Sequence, residues 1–229
     1  MIRITKDQTV GEIVADMPSA AGIFREYGID FCCGGGRKLE EAVKDSNTGI
    51  EEILEKLNVS VEPKMPEKNT GYKRMADSEL IRHILDTHHA YMRKALPDIY
   101  GLSFMVLRAH GKNHSYLFDL HRIFGNLRNE LEAHLIKEEE ILFPKIRLAE
   151  NDPAYLQEGG LADEIKETES EHDAAGSMLK ELRRLTNEYA LPDDACGTYA
   201  ALFSGMKELE QDLHQHIHLE NNILFRRRS

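Results

Sequence analysis

Apolar residues recur in alternating steps of three and four along four stretches of the chain, the spacing of a helix with one buried stripe. Ile81, Ile84, His88, Met92 and Ala95 make the first stripe. Leu117, Leu120, Phe124, Leu127, Leu131, His134, Glu138 and Ile141 make the second. The third runs through Leu161, Ile165, Thr168, His172, Ala175, Leu179 and Leu182, and the fourth through Leu202, Met206, Leu209, Leu213, His216, Glu220 and Ile223. Every stripe holds a histidine where a core residue belongs, and two add a glutamate. Asp77 or Ser78 is placed to cap the first helix, Pro153 and Gly159-Gly160 separate the second from the third, and Pro192 separates the third from the fourth. The pattern predicts an all-α chain with an antiparallel four-helix bundle over residues 73–229. His88 precedes His172 by 84 residues and His134 precedes His216 by 82, so the bundle reads as two similar halves.

Ahead of the bundle, residues 1–57 read as a small domain of short helices, joined to it by a Pro-containing linker of mixed charge at 58–72. Thr9 opens a first helix; Pro18 starts a second that ends at Gly28. Cys32 and Cys33 then precede Gly34-Gly35-Gly36 and a helical pattern. That order predicts thiols near a helix N-terminus, where the dipole favours thiolate. Adjacent thiols bind metal, form a strained disulfide or do redox chemistry; two small buried apolar side chains beside a tight turn are the plainer alternative.

The chemistry lies in a repeated phrase, His-x-x-x-Glu-x-x-Ile-Leu-Phe, at His134–Phe143 and again at His216–Phe225. Positions i and i+4 share a helix face, so each copy directs an imidazole and a carboxylate the same way. An ionised carboxylate on a buried seam costs several kcal/mol unless paired, and the nearby cation Lys137 is out of phase with the seam. Cations held between His88, His134, His172, His216, Glu138 and Glu220 remove that cost. Imidazole with carboxylate and no thiolate suits iron, manganese or zinc. Two carboxylates among four imidazoles suggest two ions bridged by the glutamates. A ferritin-like site wants two Glu-x-x-His motifs, and only Glu169-x-x-His172 falls on a seam; no His-Glu-x-x-His supports a zinc protease. His83, His89, His114, His121, His214 and His218 read as ordinary core or surface histidines. His110 stands 24 residues before His134, about 36 Å along one straight helix, and reaches the same ions only if the chain turns between them.

Composition narrows the class. The net charge of −11 argues against nucleic acid as a partner, and the Arg226–Arg228 tail reads as a solvated end. No apolar run approaches the ~18–20 residues of a membrane span, and the N-terminus has no signal-peptide pattern. Three cysteines form no disulfide framework, which points to a reducing cytoplasm.

Asp30-Phe-Cys-Cys-Gly-Gly, Glu130-Leu-x-x-His134-x-x-x-Glu138-Glu-x-Ile-Leu-Phe-Pro and Glu169-Ser-Glu-His-Asp173 together resemble the RIC family of iron–sulfur cluster repair di-iron proteins, the YtfE/ScdA group, over nearly the whole chain. The resemblance implies an ScdA-type N-terminal domain followed by a hemerythrin-like bundle. Its cofactor would be two non-haem irons on His88, His134, His172 and His216 with Glu138 and Glu220 bridging, compatible with an oxo or hydroxo bridge. His110 lies where relatives also carry a histidine and is kept as an extra ligand candidate. Glu130 and Glu171 resemble acidic positions along the approach to the irons; Cys32 and Cys33 would serve redox chemistry or iron transfer. Two details depart from the family: Arg226 stands where Pro is usual after the second Phe, and a third glycine follows Cys-Cys-Gly-Gly. The implied role is repair of clusters damaged by nitric oxide or oxidative stress, through iron supply, nitric oxide reduction, or both. Damaged iron–sulfur proteins, nitric oxide, oxygen and an unidentified reductant would be the partners, and the linker allows the small domain to reach a bundle in the same chain or in a homodimer. An oxygen or nitric oxide sensor is the alternative function; a structural bundle with incidental zinc fails on the paired glutamates.

Overall fold

In a computed structural model of the chain, the structure describes residues 4–46, 48–59, 71–152 and 160–228. Most of the expected linker (60–70) and the Pro153 and Gly159 breakers lie outside the described residues. The described residues are helical, with one isolated bridge between Thr9 and Lys38 and no strand. The fold is all-α. Two compact units are formed, one from residues 1–80 with 214–229 and the other from 81–213.

In the first unit, α1 (Val10–Asp16) opens on a capping box: Glu12 N–H donates to Thr9 Oγ1, and Thr9 N–H to the Glu12 carboxylate. Helix α2 (Ala20–Glu26) stops at Gly28, whose φ of +67° is a left-handed conformation. Helices α3 (Leu39–Ala42) and α4 (Ile50–Val59) complete the set. Val10, Ile13, Phe24, Ile29, Phe31, Leu39, Ile53 and Leu57 form its apolar core. The C-terminal residues belong to this unit. Arg227 and Arg228 both pair with the buried Asp77 at the start of α5 (Asp77–Ile84), and Arg227 also donates to the carbonyls of Tyr72 and Met75 at 2.9 Å. The expectation of a solvated tail is therefore corrected for these two arginines: a buried carboxylate needs a cation, and they supply it.

The second unit is an antiparallel bundle. After α5 the chain continues through a π-helical turn, Leu85–His89, into α6 (Ala90–His110). Then come α7 (Tyr116–Lys137), a second π turn at Glu138–Leu142, α8 (Phe143–Asn151), α9 (Leu161–Leu185) and α10 (Gly197–Leu219); from His214 on, α10 and the third π turn that extends it, Glu220–Leu224, belong to the first unit. Side-chain contacts run in opposite order along neighbouring helices. Tyr100 and Ser103 of α6 meet Arg128 and His121 of α7, and Lys137 and Lys145 meet Glu171 and Glu164 from α9. Asp212 of α10 meets His88, while Cys196, just before α10, meets His110. Met92, Leu120, Phe124, Leu127, Ile165, Leu179, Leu202, Met206 and Leu209 fill the interior, as the stripes predict, whereas in α6 Leu96 and Ile99 are buried and the expected Ala95 is only half-buried.

Stripe phase departs from a regular helix at the π turns. Ile141, expected inward, is 43% exposed, and Leu142 is fully buried in its place. A π turn carries an extra residue, which moves the inward position one place along the chain.

Candidate metal centre

All three π turns among the described residues contain or begin at residues of the expected ligand set, as such bulges often do at functional sites. Glu138 starts the second turn and is fully buried. Its Oε1 faces His134 Nε2 at 3.4 Å and His172 Nε2 at 4.0 Å; its Oε2 faces His89 Nε2 at 3.3 Å. The two oxygens thus look toward different imidazoles, the disposition a bridging carboxylate requires. Two donors each about 2.1 Å from one cation stand roughly 3–3.5 Å apart, so the 3.3 and 3.4 Å separations from His89 and His134 suit donors to a shared cation.

The outer nitrogens of the same rings are tied down by carboxylates. His134 Nδ1 donates to Glu171 Oε2 at 2.8 Å and His89 Nδ1 to Glu139 Oε1 at 2.8 Å. A carboxylate that accepts from Nδ1–H leaves Nε2 with a lone pair directed inward, the usual arrangement behind a metal-bound histidine. His134 Nε2 and His172 Nε2 lie 3.2 Å apart, and with the first already an acceptor, a cation suits both. The donor set fits an imidazole–carboxylate metal ion.

His88 is placed differently. Its Nδ1 pairs with Asp212 Oδ1 at 2.9 Å, and its ring stands edge-on to His83. Steps of three and four select His88 for the seam; the π turn at Leu85–His89 brings His89 to Glu138 instead. Two adjacent histidines were the available signal, and periodicity alone does not choose between them.

Glu171 is held down to about 2, first by the His134 hydrogen bond and then by Lys137, whose Nζ donates to Glu171 Oε1 at 2.8 Å. Glu130, His134, Lys137, Glu171 and His172 line an open cleft of about 440 Å³. Lys137, out of phase with the seam, serves Glu167 and Glu171 rather than Glu138.

In the other unit, His216 Nε2 lies 2.9 Å from Glu220 Oε1, with both side chains fully buried. Two residues on, the Asn222 amide donates to the Cys32 carbonyl at 3.0 Å and the Phe31 carbonyl at 3.3 Å. His218 packs edge-on to Phe31 and is pushed down to about 4, chiefly by burial.

Cys32 and Cys33 occupy a turn six residues ahead of α3, too far for its N-terminus to act on them. Asp30 Oδ1 accepts the backbone N–H groups of Cys32, Cys33 and Gly34 at 3.1–3.2 Å and lies 3.3 Å from Cys32 Sγ; the two sulfurs are 3.8 Å apart. The hydrogen bond that the Cys32 thiol donates to Cys33 Sγ, and then burial, push the Cys32 thiol up. The expected bias toward thiolate is reversed at Cys32. His110 stands at the far end of α6 with His114, Asp194 and Cys196.

Residues 80–227 match the family described as the Hemerythrin HHE cation binding domain, and residues 6–60 match ScdA_N, a domain of unknown function. Curated relatives align over almost their full length. The iron-sulfur cluster repair protein ScdA of Staphylococcus haemolyticus is 34% identical over 97% of this chain and 98% of its own. A probable iron-sulfur cluster repair protein of Haemophilus influenzae is 36% identical over 96% of both chains. YtfE of Escherichia coli O157:H7, also an iron-sulfur cluster repair protein, is 36% identical over 97% of this chain and 96% of its own. With a hemerythrin-type cation-binding domain and full-length likeness at this level, the chain belongs to the ScdA/YtfE family of iron–sulfur cluster repair proteins.

Proposed function

We propose that this protein helps restore iron–sulfur clusters damaged by nitric oxide or oxidative stress, through a pair of non-haem irons. The observation that carries the metal-binding half of this reading is Glu138, whose two buried oxygens face separate imidazoles. The repair half rests on the curated names of full-length relatives. The proposed ligands are His89, His134, Glu138, His172, His216 and Glu220. A single family profile spanning 80–227 supports joining the second His-x-x-x-Glu pair to the first. The proposed division is into two domains, a small N-terminal helical domain and the bundle.

Bound iron would supply an exchangeable metal for cluster rebuilding and a redox centre for nitric oxide. In that second use, two nitric oxide molecules with two electrons and two protons from an external donor give nitrous oxide and water. The chain's own residues prepare the centre. Glu171 and Glu139 hold His134 and His89 in the tautomer that presents Nε2. Burial of Glu138, His134 and His172 excludes bulk water. The cleft between α7 and α9 offers a small molecule or an outgoing ion a way past Glu130 and Glu171.

Purified protein should hold about two irons per chain, with loss of iron in Glu138→Leu/Glu220→Leu and in His89→Ala. His88→Ala should keep most of its iron, because it is His89 whose Nε2 faces Glu138, at 3.3 Å. Iron-loaded protein should revive an enzyme whose cluster has been destroyed, and the iron-depleted variants should not. Gas binding by fully loaded protein with no revival would count against repair and for the sensor alternative.

A further inference from the structure

A second set of metal-ligating side chains lies at the other end of α6, within the 81–213 unit. His110 and His114 are four residues apart, and the His114 N–H donates to the His110 carbonyl at 2.9 Å, keeping both imidazoles on one turn. Asp194 and Cys196 come from the segment leading into α10. His114 Nε2 lies 2.8 Å from Asp194 Oδ1, and His110 Nε2 lies 3.3 Å from Cys196 Sγ. The ligand atoms of His110, His114 and Asp194 fall within 4.8 Å of one another. We propose that His110, His114, Asp194 and Cys196 form a second cation site, for a zinc-class divalent ion, separate from the buried histidine–glutamate set.

Donor chemistry makes the case. Two imidazoles, a carboxylate and a thiol are the mixed nitrogen, oxygen and sulfur set that zinc takes in tetrahedral sites, and sulfur shifts preference away from magnesium and calcium. Aromatic neighbours orient the rings: His110 packs edge-on to Tyr199 at 5.2 Å, and His114 lies against Tyr116 and Tyr199, whose hydroxyls are hydrogen-bonded to each other. Backbone N–H from Tyr199 and then the His110 ring bring the Cys196 thiol down to about 7, so little is lost in giving up its proton. Asp194 and Cys196 are exposed, so an ion would enter and leave without unfolding the bundle. Along the 21 residues of α6 the site stands about 30 Å from His89, too far to share an ion with it.

Cobalt(II) titration of the iron-loaded full chain tests the proposal, because a thiolate–cobalt bond gives a near-ultraviolet charge-transfer band that imidazole and carboxylate do not. The difference spectrum between wild type and Cys196→Ser should show one such band, saturating at about one equivalent and removed by zinc. His114→Ala and Asp194→Asn should each weaken cobalt affinity about ten-fold or more. Using the difference spectrum cancels any contribution from Cys32 and Cys33. Identical spectra for wild type and Cys196→Ser would overturn the proposal, as would a Cys196 band unmoved by both His114→Ala and Asp194→Asn. All four positions are exposed or half-buried, so matching circular dichroism and melting temperature are expected for each variant. The result stands whether or not the buried centre repairs clusters.

Discussion

Glu171 is half exposed and touches no proposed iron position, yet it sets what His134 can do. By accepting from Nδ1–H it fixes one tautomer and holds the ring against rotation. Glu171→Ala should therefore lower iron affinity about 10–100-fold while leaving the melting temperature almost unchanged. Glu171→Gln retains an acceptor and should recover some of the loss. Iron retained during dialysis against a graded chelator separates the three proteins. The acidic residue was readable in the sequence as a neighbour of the site, from its place beside His172. Its actual partner, His134, was not, because that contact joins two helices and no local spacing records it. The same limit applies to Glu139, whose hold on His89 joins residues 50 positions apart.

Helices whose interior is continuous were legible almost residue by residue: Leu117 to Leu131 and Leu161 to Leu182 keep their stripes. Legibility stopped where a turn widened. Counting in steps of three and four assumes a constant pitch, and a π turn violates it by one residue: Leu142 is buried where Ile141 is expected, and it is His89 that faces Glu138 where the count selects His88. The glutamate that opens the second such turn, Glu138, has oxygens that face different imidazoles. Deleting the exposed Glu140 should let this turn relax to regular α-helix. The expected result is unchanged helicity and a melting temperature within a few degrees, with iron affinity lowered at least ten-fold as Glu138 leaves its position. Circular dichroism and iron content measure the two halves of that statement. Unfolding of the deletion variant would instead show that the wide turn is required for packing.

The first unit takes its residues from both ends of the chain, a property that no reading of adjacent positions supplies. Among the contacts that unite them are the Asp77 pairing with Arg227 and Arg228 and the Asn222 amide, which fits against the glycine turn. A Cβ on Gly35 would stand 2.2 Å from Asn222 Oδ1. Gly35→Ala should cost about 1–3 kcal/mol through this overlap. Asn222→Ala should cost a similar amount by leaving the Phe31 and Cys32 carbonyls unsatisfied. Together the two should cost less than their sum by about 1 kcal/mol, read from urea unfolding of the four proteins. Asn222 also lies two residues beyond Glu220, so one amide is anchored to the Cys32 carbonyl at one end and to the helix of a proposed ligand at the other. Thermodynamic reciprocity attaches to such a tie. Whatever oxidation, alkylation or ligation favours one arrangement of the Cys32–Cys33 turn shifts the hold on metal at Glu220 by some factor, and metal shifts the chemistry of the turn by that same factor in return.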